Sequence, residues 1–443
     1  MTHYPRTLII THNSFDDHKN NGKTLNTLFD GWDPDAIAQL FFLDEEPTSK
    51  YCNKYFRITD RDVVRAITRE NGAGVCGQVV SHKDPGVTEA SQVHKTYFFS
   101  FTKQISNGIP ARILRDLLWS TKVWKTKALI DWLKEFNPEV IFWGVGNSKF
   151  SADIAYWISC FLKIPICLYY GDDYVLHSNY GGLLSRIQHK RIKSFHDRNL
   201  HHATKLIAIG DQMASEYRAA YGRDVVVVRT SVNIPDPFPS IEKTADEPIV
   251  LSYLGGLHLN RWKSLIELGE LLHETELAQG INTTLNIWSM DDISPAMSAR
   301  LNRSPLRFCG KALGKQVDEI MQRSDILVHV ESSEKKYRKL TSLSISTKIP
   351  EYLSMGKCIL CYGPDEVASI RLITENKVGF ALTDKDDHNK KLSLLSQILS
   401  DKAGRDLMGG RARDFAREKF SRAANAETLR LTLLECVQPG LII

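Results

Sequence analysis

Lys348 and Glu351 stand three residues apart in the stretch Ser346 to Pro364, STKIPEYLSMGKCILCYGP. Their surroundings put both at the start of a helix. Ser346 and Thr347 are N-cap candidates, because a hydroxyl accepts from the free N–H groups of a first turn. Pro350 falls within that turn, where its missing N–H costs little. Gly356 fits the left-handed residue past the helix end, and Cys358 to Tyr362 is an apolar run of strand length before the break at Gly363-Pro364. A helix N-terminus with a lysine favours an anion such as phosphate. The carboxylate of Glu351 suits hydroxyl donors such as those of a ribose. The same pattern also describes an ordinary helix–strand unit of an α/β core.

Three other places carry groups of chemical interest. The run Gly255-Gly256-Leu257-His258-Leu259-Asn260-Arg261-Trp262-Lys263 follows an apolar strand, Ile249 to Leu254, and opens an amphipathic helix through Leu272. Paired glycines let a backbone approach a ligand, and Arg261 and Lys263 are placed to meet phosphate at that helix start. Gly171-Asp172-Asp173-Tyr174 ends the strand Ile166 to Tyr170. Its adjacent carboxylates suit binding of hydroxyls or polarisation of an acceptor nucleophile, or else a helix cap plus a turn residue. The strand Thr7 to Thr11 ends in His12 and a polar loop containing Gly22, ahead of a helix from Lys23 to Phe29. His12 reads as structural or, alternatively, as facing the cleft. Cys358-x-x-Cys361 lies inside a strand, so its two thiols point to unlike faces and suggest no metal or redox pair.

The elements that position these groups alternate strand and helix throughout. Strands are expected at 36–43, 140–144, 166–170, 206–209 and 225–228, then at 249–254, 285–289, 306–308, 326–330, 358–362 and 378–382. Thr230 to Pro248 holds four prolines and marks a linker. This is the pattern of two α/β doubly wound domains. A chain of 443 residues with 42% apolar and 25% charged residues is long enough for two cores and has the composition of a globular protein. Eight irregularly spaced cysteines suggest no disulfide framework. The N-terminus does not read as a signal peptide, and the apolar region Ile154 to Tyr170 is broken by Lys163 and Pro165. A cytoplasmic location is expected.

The formal charge of +5 is mild, but it is unevenly spread. Ile109 to Phe136 has helical spacing with Arg112, Arg115, Lys122, Lys125, Lys127 and Lys134 on its polar face. Arg186 to Lys205 carries six cations against Asp197 alone. These stretches read either as solvated helix faces or as a cationic surface bearing Trp119 and Trp124 that leans on anionic lipid. No stacking module accompanies the charge, so nucleic acid is not expected. Between Glu331 and Ser346, ESSEKKYRKLTSLSIS reads as a mobile flap.

The segment K-x-P-E-Y-L-S-x-G-K-x-I-L, from Lys348 to Leu360, resembles the donor-site segment of GT-B glycosyltransferases close to family 4, of the bacterial surface-polysaccharide type. The resemblance covers nearly all of the second half of the chain and parts of the first. It implies two Rossmann-like domains facing a central cleft: 1–235 for the acceptor, 236–420 for a nucleotide sugar, and a last helix in 421–443 crossing back. It further implies that Glu351 grips the ribose, with Ser346, Thr347 and Lys348 beside it. Family-4 enzymes carry a second Glu eight residues earlier, where this chain has Leu343. Their G-R-x(4)-K segment places Gly256 at the position of the Arg and Arg261 at that of the Lys, with Gly255 and Lys263 adjacent. Their first loop has glycines near the donor diphosphate, which suggests Gly22. A D-D-Y motif facing the acceptor matches Asp172 and Asp173.

The implied activity is glycosyl transfer from a nucleotide sugar to an acceptor hydroxyl, with retention and without a metal or other cofactor. Arg261 would act on the leaving diphosphate and Asp172 and Asp173 on the acceptor. The acceptor would be a saccharide or lipid-linked saccharide met at the inner membrane face. A sugar-nucleotide 2-epimerase of the same architecture, and a non-catalytic partner that binds a nucleotide sugar, remain as alternatives.

Overall fold

The computed structural model describes residues 3–17, 20–68, 75–81, 109–177, 183–234 and 247–438. The expected boundary at 235/236, most of the proline-bearing linker and part of the region between Glu45 and Lys103 lie outside these residues. The chain forms two compact units, Met1–Arg229 with Asn425–Ile443, and Thr230–Ala424.

Among the described residues the first unit is built on an eight-stranded sheet. Its strands are β1 (Thr7–Thr11), β2 (Ile37–Phe41), β3 (Lys54–Arg57), β4 (Gln78–Val80), β5 (Val140–Gly144), β6 (Ile166–Tyr170), β7 (Lys205–Ala208) and β8 (Val226–Val227). The order is β4-β3-β2-β1-β5-β6-β7-β8, and every pairing is parallel except β3 with β4. β1, β2 and β6 are buried along their whole length. Central parallel strands are covered on both faces, which is why they read as mainly apolar runs; the buried Gln39 in β2 is satisfied by Thr11 Oγ1, Asn13 O and Phe15 N–H. The strand order reverses between β1 and β5, the kind of point at which doubly wound sheets bind ligands. The helix Arg422–Val437 contributes Leu429, Leu433 and Cys436 to this unit's core, beside Ile207 and Val228.

The second unit has six strands: β9 (Ile249–Leu254), β10 (Thr283–Trp288), β11 (Leu306–Gly310), β12 (Ile326–Val330), β13 (Cys358–Gly363) and β14 (Phe380–Thr383). Their order is β11-β10-β9-β12-β13-β14, all parallel, with the reversal between β9 and β12. Residues alternate between two cores, as the period of a strand requires. Leu251, Tyr253, Val328, Val330 and Leu360 face one, and Leu254, Leu327, Ile359 and Cys361 face the other. Cys358 and Cys361 fall on opposite faces, and burial pushes the Cys358 thiol up to about 12.

Two expectations are corrected here. Ile109 to Phe136 is two helices, Ile109–Ser120 and Lys127–Phe136. The chain turns at Lys122, with φ 61°, and restarts at Thr126, whose hydroxyl accepts from Leu129 N. Trp119 and Trp124 are both 2% exposed and therefore cannot insert into lipid. Trp119 stacks on Phe150 at 4.0 Å and donates to Asp60. Among the described residues no helix is long and apolar enough to cross a membrane.

Candidate active site

β9 and β12 lie side by side at the reversal of the second sheet, and the loops leaving their carboxyl ends meet. After β9 the chain runs through Leu259 and Asn260, both left-handed at φ 57° and 59°. Two consecutive non-glycine residues there store strain, a feature that clusters at binding sites. The helix Arg261–Gln279 follows at once. The paired glycines serve the loop's own packing. A Cβ on Gly255 would lie 2.7 Å from the Tyr253 hydroxyl, and one on Gly256 2.3 Å from the His258 ring. Tyr253 in turn donates to the carbonyl of Gly256 at 2.6 Å.

Arg261 meets Glu331, the first residue after β12. Nη2 donates to Oε1 at 2.9 Å and Oε2 at 3.1 Å, and Nε reaches Oε2 at 3.4 Å. His329 Nε2 lies 3.2 Å from Oε1 on the other side. Burial alone pushes the Glu331 carboxyl up, but Arg261 and then His329 outweigh it and hold it below the usual carboxylate range. Burial alone likewise lowers Arg261, and Glu331 reverses this and raises it. Glu331 is also fixed through its backbone. Its N–H donates to Tyr362 O at 2.9 Å, and its carbonyl accepts from Ser264 Oγ at 3.0 Å. Gly363, at φ +147°, passes so close that a Cβ would sit 2.8 Å from that carbonyl. Nothing local in the sequence marks Glu331, because its partner is 70 residues away. Its one sequence signal is an acid directly after a buried strand at the reversal. Lys263 has a looser partner: its Nζ donates to Glu334 at 2.7 Å, and Asn260 Nδ2 donates to the same oxygen.

The helix carrying Glu351 is Lys348–Ser354. In a parallel α/β unit such a helix runs back along the sheet, so its N-terminus lies at the carboxyl edge of the strands, the edge that also carries Arg261. Tyr352 ties it there: its hydroxyl accepts from Leu254 N at 2.9 Å and contacts Leu254 O at 3.3 Å. Lys348 Nζ donates to Glu351 Oε2 at 2.5 Å, so these two groups meet each other. Thr347 occupies the cap position without a side-chain cap bond, and Ser346 Oγ accepts from Lys348 N at 3.4 Å instead. Gly356 is left-handed at φ 59°. Leu343, where the second family Glu would stand, is 1% exposed.

The stretch expected as a flap is anchored. It contains the helix Lys335–Thr341, and Arg338 binds both Glu366 and Asp384. Ser342 O accepts from Ala368 N at 2.8 Å. Asp365, Glu366 and Asp384 converge closely enough to resemble metal ligands. Their charge is met by Arg338 and by Lys385, which pairs with Asp365.

In the first unit the two adjacent aspartates divide. Asp173 is buried and accepts from Val175, Leu176 and His177 N–H at 2.7 to 2.9 Å, and from Tyr217 Oη at 2.7 Å. With four donors its carboxylate holds the loop together. Asp172 is exposed, with the Tyr174 hydroxyl 3.4 Å away. Gly22 lies within the helix Asn20–Leu28 and packs on the preceding loop, where a Cβ would lie 2.4 Å from Asp16 Cβ. The reversal in this sheet delivers His12, between Phe42 and Phe150. Burial, then the Arg115 charge, lowers His12 to about 4.

No family model matches the chain, and no curated protein matches it in sequence. Solved structures do match it. Sucrose-phosphate synthase from Thermosynechococcus elongatus aligns over 96% of this chain and 97% of its own, with TM-score 0.59 and 11% identity. HepE of Anabaena, solved with UDP, aligns over 97% and 100% with TM-score 0.58 and 12% identity. The lipopolysaccharide outer core galactosyltransferase WaaB aligns over 97% and 99% with TM-score 0.53 and 14% identity. Likeness at such identities concerns the fold. The fold is GT-B, with two doubly wound units, as the segment around Glu351 implies.

Proposed function

We propose that this chain is a glycosyltransferase, moving a sugar from a nucleotide-sugar donor to an acceptor hydroxyl. The observation that carries the reading is the carboxyl edge of the second sheet. There a GT-B fold presents the Arg261 guanidinium at the strand reversal and, on the same edge, Lys348 and Glu351 at a helix start. Glu351 accepts from the ribose hydroxyls. Arg261, with Lys263 in support, meets the charge that develops on the departing diphosphate, a task that needs no metal. The UDP held by HepE supports a nucleoside diphosphate as the shared part of the donor. Transfer with retention, as in family-4 enzymes, requires no dedicated side-chain base, and Asp172 is left to orient the acceptor. Incubation with labelled nucleotide sugars, with and without a chelator, tests this. Transfer or slow hydrolysis in both conditions is expected. Epimerised sugar, or binding with no turnover, overturns it.

A surface observation favours a lipid-linked acceptor. The helices Ile109–Ser120 and Leu183–His202 are joined by the ion pair of Asp116 with Arg191. Near that joint Ile113, Leu114 and Leu117 are 43%, 58% and 60% exposed, with Leu183 at 75% and Ile187 at 49%. Arg186 and Lys190 are exposed on the second helix. Apolar side chains with cations beside them complement an anionic bilayer, the apolar part entering the headgroup region and the cations holding phosphate. The apolar contact comes from these aliphatic residues in place of Trp119 and Trp124.

A further inference from the structure

We propose that Glu331 is a positioning residue for the donor diphosphate, acting through Arg261. The proposal rests on the donor-site reading above and adds a residue to it. A carboxylate beside a phosphate-binding arginine has two opposed effects. It cancels part of the attractive field, and it fixes the guanidinium in one orientation. Which effect prevails depends on whether the pair opens when the anion arrives.

This pair is built to stay closed. The Glu331 side chain is 3% exposed and that of Arg261 15%, so the carboxylate lies on the inner side of the guanidinium. The backbone of Glu331 is held by Tyr362 and Ser264 and has no room to retreat past Gly363. His329 Nε2 packs 3.2 Å from Oε1 and leaves the carboxylate no space on that side. Breaking a buried pair leaves an uncompensated charge, which costs far more than an exposed pair does. Glu331 occupies Nε and Nη2 of Arg261, and Nη1 takes part in none of these bonds. A guanidinium held by one edge offers its remaining N–H groups to phosphate in a set direction, without reorganisation when charge develops. The strained Leu259-Asn260 turn sets the root of the same side chain. Lys263 and Glu334 differ: both side chains are nearly half exposed, at 46% and 47%, so that pair opens at little cost. The edge therefore combines one fixed cation and one displaceable cation.

The test is a double-variant cycle read by calorimetry, with uridine and UDP as probes and GDP and ADP in parallel. Arg261→Ala and Glu331→Gln should each weaken the bound diphosphate about tenfold or more, as loss of a charge-assisted contact does. Uridine affinity should stay within about twofold, because only the diphosphate increment depends on the pair. Arg261→Ala/Glu331→Gln should bind UDP no more weakly than Arg261→Ala, since Glu331 acts through the arginine. Unchanged or tighter UDP binding by Glu331→Gln overturns the proposal and makes the carboxylate a mask. Additive losses overturn it as well. Undiminished UDP binding by Arg261→Ala, or no binding of any diphosphate to the wild type, overturns the donor-site reading itself. If Glu331→Gln does not fold, Glu331→Asp, which keeps the charge and withdraws it by one methylene, takes its place in the cycle with the same expectations.

Discussion

Lys348 Nζ and Glu351 Oε2 are 2.5 Å apart on one turn of helix, so the cation and the carboxylate assigned to the nucleotide neutralise each other. Lys348 thereby orients Glu351, whose other oxygen would accept a ribose hydroxyl in the proposed donor site. Glu351→Gln removes the charge but keeps the shape. It should weaken nucleotide binding by about 1–3 kcal/mol with the fold intact. Calorimetric titration with UDP, GDP and ADP measures this, and equal affinity in a folded variant would exclude Glu351 from the site.

Arg261→Ala should lower kcat more than it raises the donor dissociation constant, because the diphosphate gains charge in the transition state. Turnover by the wild type should persist in excess chelator. Strict dependence on an added divalent ion would transfer the leaving-group role from Arg261 to a metal.

Tyr217 donates to Asp173, the carboxylate that gathers the N–H groups of residues 175 to 177. Tyr217→Phe should cost about 1–2 kcal/mol of stability in denaturant titrations, since a buried charged acceptor loses one of its donors. Asp173→Asn should cost more. A stability change near zero in both would mean that the loop is held by its backbone alone.

His196 is fully buried, and its Nε2 lies 2.7 Å from the Tyr170 hydroxyl. Burial lowers it to about 4, against the opposing pull of Asp197 and, more weakly, Asp173, while Lys193 adds to the lowering. Its unfolded pKa is higher, near 6.5, so the unfolded chain binds the extra proton first. The contribution is complete above about pH 6.5 and is lost as pH falls towards about 4, by up to about 1.4 kcal/mol per pH unit within that window. Denaturation midpoints at pH 7, 6 and 5 should fall, and His196→Gln should flatten the decline. An identical slope in that variant would assign it to other groups, such as His12.

Binding to anionic liposomes should weaken as salt rises, because each cation contributes about 1 kcal/mol at most and is screened. Leu114→Ser/Leu117→Ser should reduce binding at every salt concentration, and changing Lys190 to Gln should reduce it mainly at low salt. Sedimentation with vesicles separates the two effects. A wild-type protein that ignores anionic vesicles at low salt would point to a soluble acceptor.

Much of the architecture is written in short runs of sequence. Val140–Gly144, Ile166–Tyr170, Ile249–Leu254 and Ile326–Val330 form strands over the ranges their mainly apolar runs mark, because a parallel strand covered on both faces favours apolar residues on each. Gly356 marks the end of its helix because its left-handed geometry disfavours a Cβ. What the tertiary structure decided depends on strand order. Arg261 finds Glu331 across 70 residues only because β9 lies beside β12. Trp119 reads as an exposed, insertable ring until Phe150 and Asp60 are brought against it. Lys335–Thr341 reads as a loose loop until Arg338 meets Glu366 and Asp384. Periodicity and capping act over a few residues, so they report elements. Which charges neutralise one another, and which are left facing a ligand, is a property of the packed sheet.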